Sequence, residues 1–458
     1  MGAINKILNF INKISIPFLV KHEMFNILCF LLILNLKKIK KINPKKNKIK
    51  YTAIVLYKSG GIDDLIESQK ILNNDILYLI CPRIFFKHIF FSIFKNKSHN
   101  LSDLNYSSNE IKIINLKKKY KNFVVNLLKV LKEKYKISLI ISFGFYFAER
   151  ELHSACSEIK IPFLLLFKES IHSEFQKNYF IYTFKKINEK FNGYKIGVYS
   201  KYAKQLLSKS GVANNNQIKI IGCSRLGASF SYKKILPKKQ ILYYAIQEDR
   251  GLPNTIIDTF GKKFYKSLPQ HRSYKKRISW NKTHLKTMKI LKKFAKKNPK
   301  IEILIKVKVG QNSNLNEYNN LPKNIKILTK GAGHKLLKYS KVVIAWNTTS
   351  LLEGIAANRF IIIPYFHGKI KNIKKFELKL NLKKKNYGYT ENDFCNKLNL
   401  LINSKYDESF FHNNLNSLEY YLGNKDNRAG FRLNKFIKNS LRVKNDVTKK
   451  ITSLTTKF

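Results

Sequence analysis

The chain has 458 residues, of which 44% are hydrophobic, so it is long enough for two or three domains with proper cores and is not a disordered chain. Its formal net charge of +60 comes mostly from lysines scattered evenly along the sequence. Since there is no arginine-rich arm, zinc-finger spacing or RNP-type aromatic motif, we expect no specific nucleic-acid partner. The charge predicts attraction to anionic lipid head groups and to phosphorylated substrates.

The first 50 residues predict a segment at a membrane surface. Ile4, Ile7 and Ile11 repeat at helical spacing, and the apolar run Met24–Leu36 is too short to span a bilayer and precedes a dense lysine cluster. This pattern is typical of a helix that lies on the anionic cytoplasmic leaflet, and a helix packed on the protein's own core is an equally good interpretation. We expect a cytoplasmic protein, peripheral on the inner face of the cell membrane. The five separated cysteines, without a Cys-x-x-Cys pair, favour the same compartment and predict no structural zinc.

From Tyr51 onward, apolar strand-like runs alternate with helical patterns. Alternation with short connections predicts parallel, doubly wound α/β sheets. The first domain is predicted at residues 51–235, a second at 240–440, and a disordered tail at 444–458. The strands predicted for the first domain are Tyr51–Tyr57, Ile76–Cys81, Ile111–Leu116, Ile137–Phe143, Ile161–Phe167, Tyr194–Tyr199 and Ile218–Cys223.

Lys341–Phe366 is the most informative stretch, because it predicts a strand, a turn, a short helix and a second strand. Ser350 and Glu353 match a capping box at the start of that helix. Thr348, Thr349 and Ser350 add hydroxyl groups where unpaired backbone N–H groups and the positive end of the helix dipole favour an anion. A simple cap on a structural helix is the alternative.

Ligands of open α/β sheets bind in the loops that follow strands. Four further loops follow predicted strands, and they are Lys58–Gly61, Lys168–Ser173, Gly222–Gly227 and Lys306–Gly310. Gly60 and Gly61 would let the backbone approach a sugar or phosphate, or form a plain turn. Glu169 and His172 are candidate general bases for an acceptor hydroxyl. The remaining candidates could neutralise the negative charge of a phosphate group, and they are Arg225, Lys306 and Lys308.

The order GCSR, LIKVKVG, GAGHKLLKYSKVVIAWNTTSLLEGIAANRFIIIP and YLGNKDNRAGFRL resembles bacterial surface-polysaccharide biosynthesis proteins of the GT-B glycosyltransferase class. It also resembles CDP-glycerol glycerophosphotransferases and UDP-N-acetylglucosamine 2-epimerases. The resemblance implies two Rossmann-like domains facing a cleft, the first for the acceptor and the second for the nucleotide donor. It further implies that Thr348, Thr349 and Ser350 bind the diphosphate, with His334 nearby, and that Glu353 binds the ribose.

The resemblance implies transfer of a sugar, or a polyol phosphate, from a nucleotide-activated donor to a lipid-linked or growing glycan in surface polysaccharide or lipopolysaccharide biosynthesis. The alternatives are a nucleotide-sugar 2-epimerase and a non-catalytic glycan-assembly scaffold with the same fold. The sequence contains no Asp-x-Asp motif, so we expect a metal-independent enzyme whose only nucleotide is its substrate, without a separate cofactor.

Overall fold

A computed structural model describes residues 2–39, 48–58, 60–69, 75–94, 106–107, 109–144, 147–168, 171–246, 280–307, 318–366, 377–405, 409–424 and 426–441. The chain divides into two compact units. The first contains residues 1–170, 181–224 and 430–458, and the second contains residues 171–180 and 225–429. The predicted tail at 444–458 lies outside the described residues.

The first unit is built on a seven-stranded sheet in the order β1-β3-β2-β4-β5-β6-β7. Six strands run parallel, and the short β1 pairs antiparallel with β3. The strands are β1 (Lys37–Lys38), β2 (Tyr51–Leu56), β3 (Ile76–Cys81), β4 (Ile137–Ser142), β5 (Phe163–Phe167), β6 (Lys195–Val198) and β7 (Ile218–Ile220). β5 is buried along its whole length, as expected for a strand covered on both faces.

Helices connect and precede these strands. They are Gly2–Lys21, Phe25–Asn35, Gly61–Gln69, Arg83–Phe94, Ile111–Tyr135, Phe147–Glu158, Glu174–Ile187 and Lys201–Lys209, with a 3₁₀ turn at Asn215–Gln217. None of the helices in the described part of the chain is both long and apolar enough to cross a bilayer.

The second unit is built on a six-stranded parallel sheet in the order β10-β9-β8-β11-β12-β13. Its strands are β8 (Gln240–Tyr244), β9 (Glu302–Lys306), β10 (Ile325–Leu328), β11 (Val342–Ile344), β12 (Phe360–Pro364) and β13 (Tyr387–Gly388). Its helices are Leu226–Tyr232, Trp280–Lys297, Thr349–Ala356, Glu391–Asn403, Ser409–Asn413 and Leu415–Leu422, with 3₁₀ helices at Gly333–Lys338 and Lys384–Asn386. The prediction of two doubly wound α/β domains is confirmed.

One predicted strand is wrong. Ile111–Leu116 forms the start of the long helix Ile111–Tyr135. Alternating isoleucines favour a strand locally, yet Ile113, Tyr120, Phe123 and Leu127 are buried at helical spacing, while Ile111 and Ile114 face solvent. Packing of one helical face therefore overrides the β-branched composition.

The last described helix also differs from the sequence-based expectation. Residues 429–441 are helical, and the predicted boundary placed this segment in the second domain. In the structure, Leu433, Phe436 and Ile437 belong to the core of the first sheet, together with Ala53 and Leu164. The chain therefore returns to the first unit at its end, and no local pattern in the sequence marks this return.

Candidate functional site

The candidate site lies where the second sheet changes its winding direction. β8 and β11 are neighbours, and the chain continues from β8 to β9 and β10 on one side and from β11 to β12 and β13 on the other. Adjacent strands whose connections leave in opposite directions open a crevice at their carboxyl ends. Tyr244 ends β8, and the turn leading to helix Thr349–Ala356 follows β11.

The turn between β11 and this helix has a constrained backbone. Asn347 has a left-handed φ of 46°, a conformation that asparagine tolerates better than most residues. Its side-chain Oδ1 accepts a hydrogen bond from the backbone N–H of Leu378 at 3.1 Å. The predicted capping box of Ser350 and Glu353 is wrong, because the N-cap is Thr348, two residues earlier, and Glu353 pairs with Arg225. Oγ1 of Thr348 accepts from the N–H of Ser350 at 3.5 Å. The turn thus aims the start of the helix at the crevice.

The same helix packs closely on the sheet. A Cβ at Gly354 would lie 3.0 Å from Cδ1 of Ile361 and 3.5 Å from both Cγ atoms of Val343. Glycine therefore lets the helix approach β11 and β12. Asn358 follows the helix in a left-handed conformation with φ of 54°, which asparagine tolerates at a helix end.

Tyr244 connects the helix start to the segment that holds His334. Its hydroxyl donates to the carbonyl oxygen of Gly333 at 2.9 Å and shares a hydrogen bond with the Ser350 side chain. Burial first, and then the nearby Glu353 carboxylate, raise the pKa of Tyr244 well above its usual value. The phenol therefore remains protonated at neutral pH. Sequence reasoning missed this residue, because a tyrosine at a strand end has no motif of its own.

His334 is buried, with 3% of its surface exposed, at the start of the 3₁₀ helix Gly333–Lys338. Its Nε2 atom has no hydrogen-bond partner among the residues that the structure describes. Buried polar atoms are almost always paired, and leaving one unpaired costs about 1–3 kcal/mol. The imidazole thus offers a buried polar atom to a partner that the described chain does not supply.

Arg225 and Glu353 were predicted to have separate roles, and the structure pairs them. Both are buried, and Nε of Arg225 lies 3.0 Å from Oε1 of Glu353. Arg225 is the N-cap residue of helix Leu226–Tyr232 and belongs to the same unit as Glu353. No hydrogen bond to Oε2 of Glu353 is found among the described residues, which leaves one carboxylate oxygen as an acceptor.

The lysine predictions have different outcomes. Lys306 ends β9, where its ammonium donates to the carbonyl oxygens of Val307 at 3.1 Å and Leu328 at 3.4 Å. Burial lowers the pKa of Lys306 from its usual value. Its ammonium therefore binds backbone carbonyl oxygens at the carboxyl ends of β9 and β10. Lys308 lies outside the described residues.

The first unit has its own winding change at β2 and β4. Gly60, with φ of 75°, lies after the end of β2 at Leu56, and Gly61 begins helix Gly61–Gln69. A Cβ at Gly61 would lie 2.5 Å from the ring of Phe143, so glycine is required there for packing. Packing against Phe143 therefore accounts for the glycine at position 61, and no bound ligand is needed to explain it.

Two polar clusters beside these strand ends were not predicted. Nε of Arg83 lies 2.6 Å from Oε1 of Glu149, and both residues lie in the first turns of the helices that follow β3 and β4. The buried Asp64 accepts from the hydroxyl of Tyr199 at 2.6 Å, and its backbone oxygen accepts from the hydroxyl of Ser224. Both clusters join helix starts that are distant in sequence, so no local spacing reveals them.

Of the two candidate bases, Glu169 lies outside the described residues. His172 is partly exposed, and the centre of its ring is 5.7 Å from that of Phe180. His153 is buried, and burial, followed by the charge of Arg150, lowers its pKa to about 3. Its imidazole is therefore neutral at physiological pH, and Nδ1 accepts from the backbone N–H of Asn192 at 3.3 Å. Within the described ranges, no three His, Cys, Asp or Glu side chains gather closely enough to hold a metal ion.

No protein-family model matches the chain, and no curated protein matches it. Among solved structures, the chain is similar to a UDP-GlcNAc 2-epimerase from Methanocaldococcus jannaschii, at 11% identity and a TM-score of 0.47, covering 85% of this chain and 100% of that one. It is similar to the UDP-GlcNAc 2-epimerase from Neisseria meningitidis bound to UDP-GlcNAc, at 14% identity and a TM-score of 0.45, covering 86% and 99%. A UDP-forming trehalose-phosphate synthase from Burkholderia vietnamiensis matches at 9% identity and a TM-score of 0.40, covering 86% and 100%. Two of these three structures are UDP-GlcNAc 2-epimerases, one of the families that the sequence motifs resemble.

Proposed function

We propose that the chain is a glycosyltransferase, or a polyol-phosphate transferase, that takes its donor as a nucleoside diphosphate derivative. The observation that carries the proposal is Nε2 of the buried His334, which has no hydrogen-bond partner among the described residues and lies on a segment tied through Tyr244 to the hydroxyl-rich start of helix Thr349–Ala356. An imidazole N–H, serine and threonine hydroxyls and a helix N-terminus together suit a diphosphate.

The residues of the candidate site then have distinct roles in the proposal. The hydroxyls of Thr349 and Ser350 and the helix N-terminus hold the diphosphate oxygens. His334 donates from Nε2 and stabilises the charge that grows on the leaving diphosphate. Glu353, with Oε1 held by Arg225, accepts from a ribose hydroxyl through Oε2.

In the proposed transfer of a sugar, the oxygen of an acceptor hydroxyl attacks the anomeric carbon of the donor. The bond from that carbon to the diphosphate oxygen breaks, its electron pair leaves with the nucleoside diphosphate, and a base takes the hydroxyl proton. We retain Glu169 and His172 as the candidates for that base. The acceptor is a lipid-linked or growing surface glycan, so the proposal places the reaction at the cytoplasmic face of the membrane.

The donor site is tested by calorimetric titration with UDP, CDP, GDP and ADP in turn. Thr349→Val combined with Ser350→Ala should weaken binding of the preferred nucleotide, because each lost hydrogen bond to a charged group costs roughly 1.5–3 kcal/mol. Thr390→Val is the matched control, since Thr390 caps helix Glu391–Asn403 in the same unit and accepts from the N–H of Asp393. Unchanged affinity in the folded double variant would show that Thr348–Ser350 only cap a helix.

The base is tested by Glu169→Gln and His172→Ala. Loss of the base should lower turnover by about 10²–10⁴-fold and leave nucleotide affinity nearly unchanged, because a base acts on the acceptor hydroxyl. Turnover is measured in the presence of acceptor, as nucleoside diphosphate released by sugar transfer or nucleoside monophosphate released by polyol-phosphate transfer. Full turnover in both folded variants removes this loop from the mechanism, and conversion of the donor sugar without acceptor would indicate an epimerase.

A further inference from the structure

The two N-terminal helices leave an apolar surface open. Gly2–Lys21 and Phe25–Asn35 each bury one face and expose another. The exposed residues recur at intervals of three and four on each helix, as one helical face requires. We call them the exposed stripes, and they are Ile7, Phe10, Ile11, Ile14 and Phe18 on the first helix and Ile27, Phe30 and Leu34 on the second, each between 39% and 65% exposed.

The faces opposite the stripes are already docked on the first unit. The amides of Asn12 and Asn35 hydrogen-bond each other at 2.9 and 3.2 Å, which fixes one helix against the other. The Cys29 thiol donates to the carbonyl oxygen of Leu127, and the rings of Phe25 and Phe123 lie 4.8 Å apart. The helices are therefore held by the protein while the stripes stay exposed. Single exposed apolar residues are ordinary on a protein, but eight at helical spacing on adjoining helices mark an interaction surface.

The positive charge on and beside the same two helices indicates which partner covers the exposed stripes. Lys13 and Lys21 on the first helix, and Lys37 and Lys38 just after the second, are exposed. A second copy would bring the same positive charges onto this surface, in a chain whose formal net charge is already +60. An anionic bilayer supplies both an apolar interior and opposite charge.

We propose that the exposed stripes are a membrane-docking surface that seats the first unit on an anionic bilayer. The two helices lie in the plane of the interface, with the stripes among the acyl chains and the lysines among the head groups. This resolves the two interpretations of the sequence, because one face of each helix packs on the core and the other faces lipid. The proposal depends on these two helices alone and not on the donor site.

The test is sedimentation of the full chain with phosphatidylglycerol vesicles and with phosphatidylcholine vesicles. We expect preferential binding to phosphatidylglycerol, and we expect the triple variant Phe10→Gln, Phe18→Gln, Phe30→Gln to lose at least tenfold in affinity. A matched control replaces three other exposed apolar residues with glutamine, and it should bind as the unchanged chain does; they are Leu236, Leu400 and Phe431. Because the stripe residues are exposed, these substitutions leave the core intact, which circular dichroism checks.

Three results would overturn the proposal. The first is equal vesicle binding by the triple variant and the unchanged chain, which would make the attraction purely electrostatic. The second is equal binding to both kinds of vesicle. The third is a loss of self-association in the triple variant, measured by analytical ultracentrifugation, which would assign the surface to a second copy. Nucleotide affinity of the triple variant is measured in parallel, so failure of the docking surface and failure of the donor site are distinguishable.

Discussion

Replacing Glu353 with leucine should destabilise the second unit strongly. The Arg225 and Glu353 side chains are only 10% and 8% exposed, and their charged atoms lie 3.0 Å apart. Glu353→Leu takes away the carboxylate that faces a buried guanidinium, and breaking such a pair costs about 3–5 kcal/mol. Replacing both partners by apolar residues is far less costly, because no charge then remains buried.

The double-mutant cycle therefore compares Arg225→Met, Glu353→Leu and their combination. We expect both single variants to lose stability and the double variant to recover most of it, with a coupling energy of at least about 2 kcal/mol. Both tryptophans of the chain, Trp280 and Trp346, belong to the second unit, so guanidinium unfolding followed by tryptophan fluorescence reports on that unit. If the double variant instead loses as much stability as the two single variants together, Arg225 and Glu353 are not energetically coupled.

Three further predictions concern other parts of the fold. Gly61→Ala should cost about 1–3 kcal/mol, because its Cβ would lie 2.5 Å from the buried Phe143 ring, and adding Phe143→Leu should restore stability; equal denaturation midpoints for Gly61→Ala and the unchanged chain would contradict this. Burial lowers the pKa of His153 to about 3 in the folded state, whereas an unfolded histidine has a pKa of about 6.5. Between these two pH values the unfolded state binds more protons than the folded state, so the free energy of unfolding of the first unit should fall by up to about 1.4 kcal/mol per pH unit of acidification. Hydrogen exchange in β4 between pH 7 and 5 measures this loss, and His153→Leu should show a smaller one. Of the five cysteines, the partly buried Cys395 should react first with a thiol reagent in the native protein, whereas the buried thiols should react only on unfolding; rapid modification of Cys81 or Cys156 would show that those sites are open.

The sequence predicted the sheets well because buried parallel strands have a strong local signal. β3 matches its prediction at both ends, and β5 is a fully buried apolar run. Ile111–Leu116 was misassigned because its isoleucines favour a strand, whereas burial of one face over 25 helical residues decides the outcome. The local composition favours a strand there, whereas tertiary packing favours a helix, and that packing cannot be predicted from the six residues alone.

The candidate site was predicted in part for the same reason. The hydroxyls of Thr348–Ser350 belong to one short motif, so their place at a helix start was predicted, although the N-cap is Thr348 and not Ser350. Tyr244 is about 100 residues away in sequence, and the Arg225–Glu353 pair spans 128 residues, so both depend on how the strands assemble. His334 was named from a resemblance, and only the structure shows that its Nε2 atom is buried without a hydrogen-bond partner among the described residues.

We propose that His334 offers its imidazole to the diphosphate of a nucleotide. Its matched control is His284, which is also buried in the second unit but whose Nδ1 lies 2.7 Å from the hydroxyl of Tyr243. Calorimetry of the preferred nucleoside diphosphate with His334→Leu should show roughly a tenfold to hundredfold loss of affinity without loss of stability. His284→Leu should instead lose about 1–3 kcal/mol of stability and keep its affinity. Nucleotide binding by His334→Leu that is as tight as that of the unchanged chain would show that His334 does not bind the diphosphate.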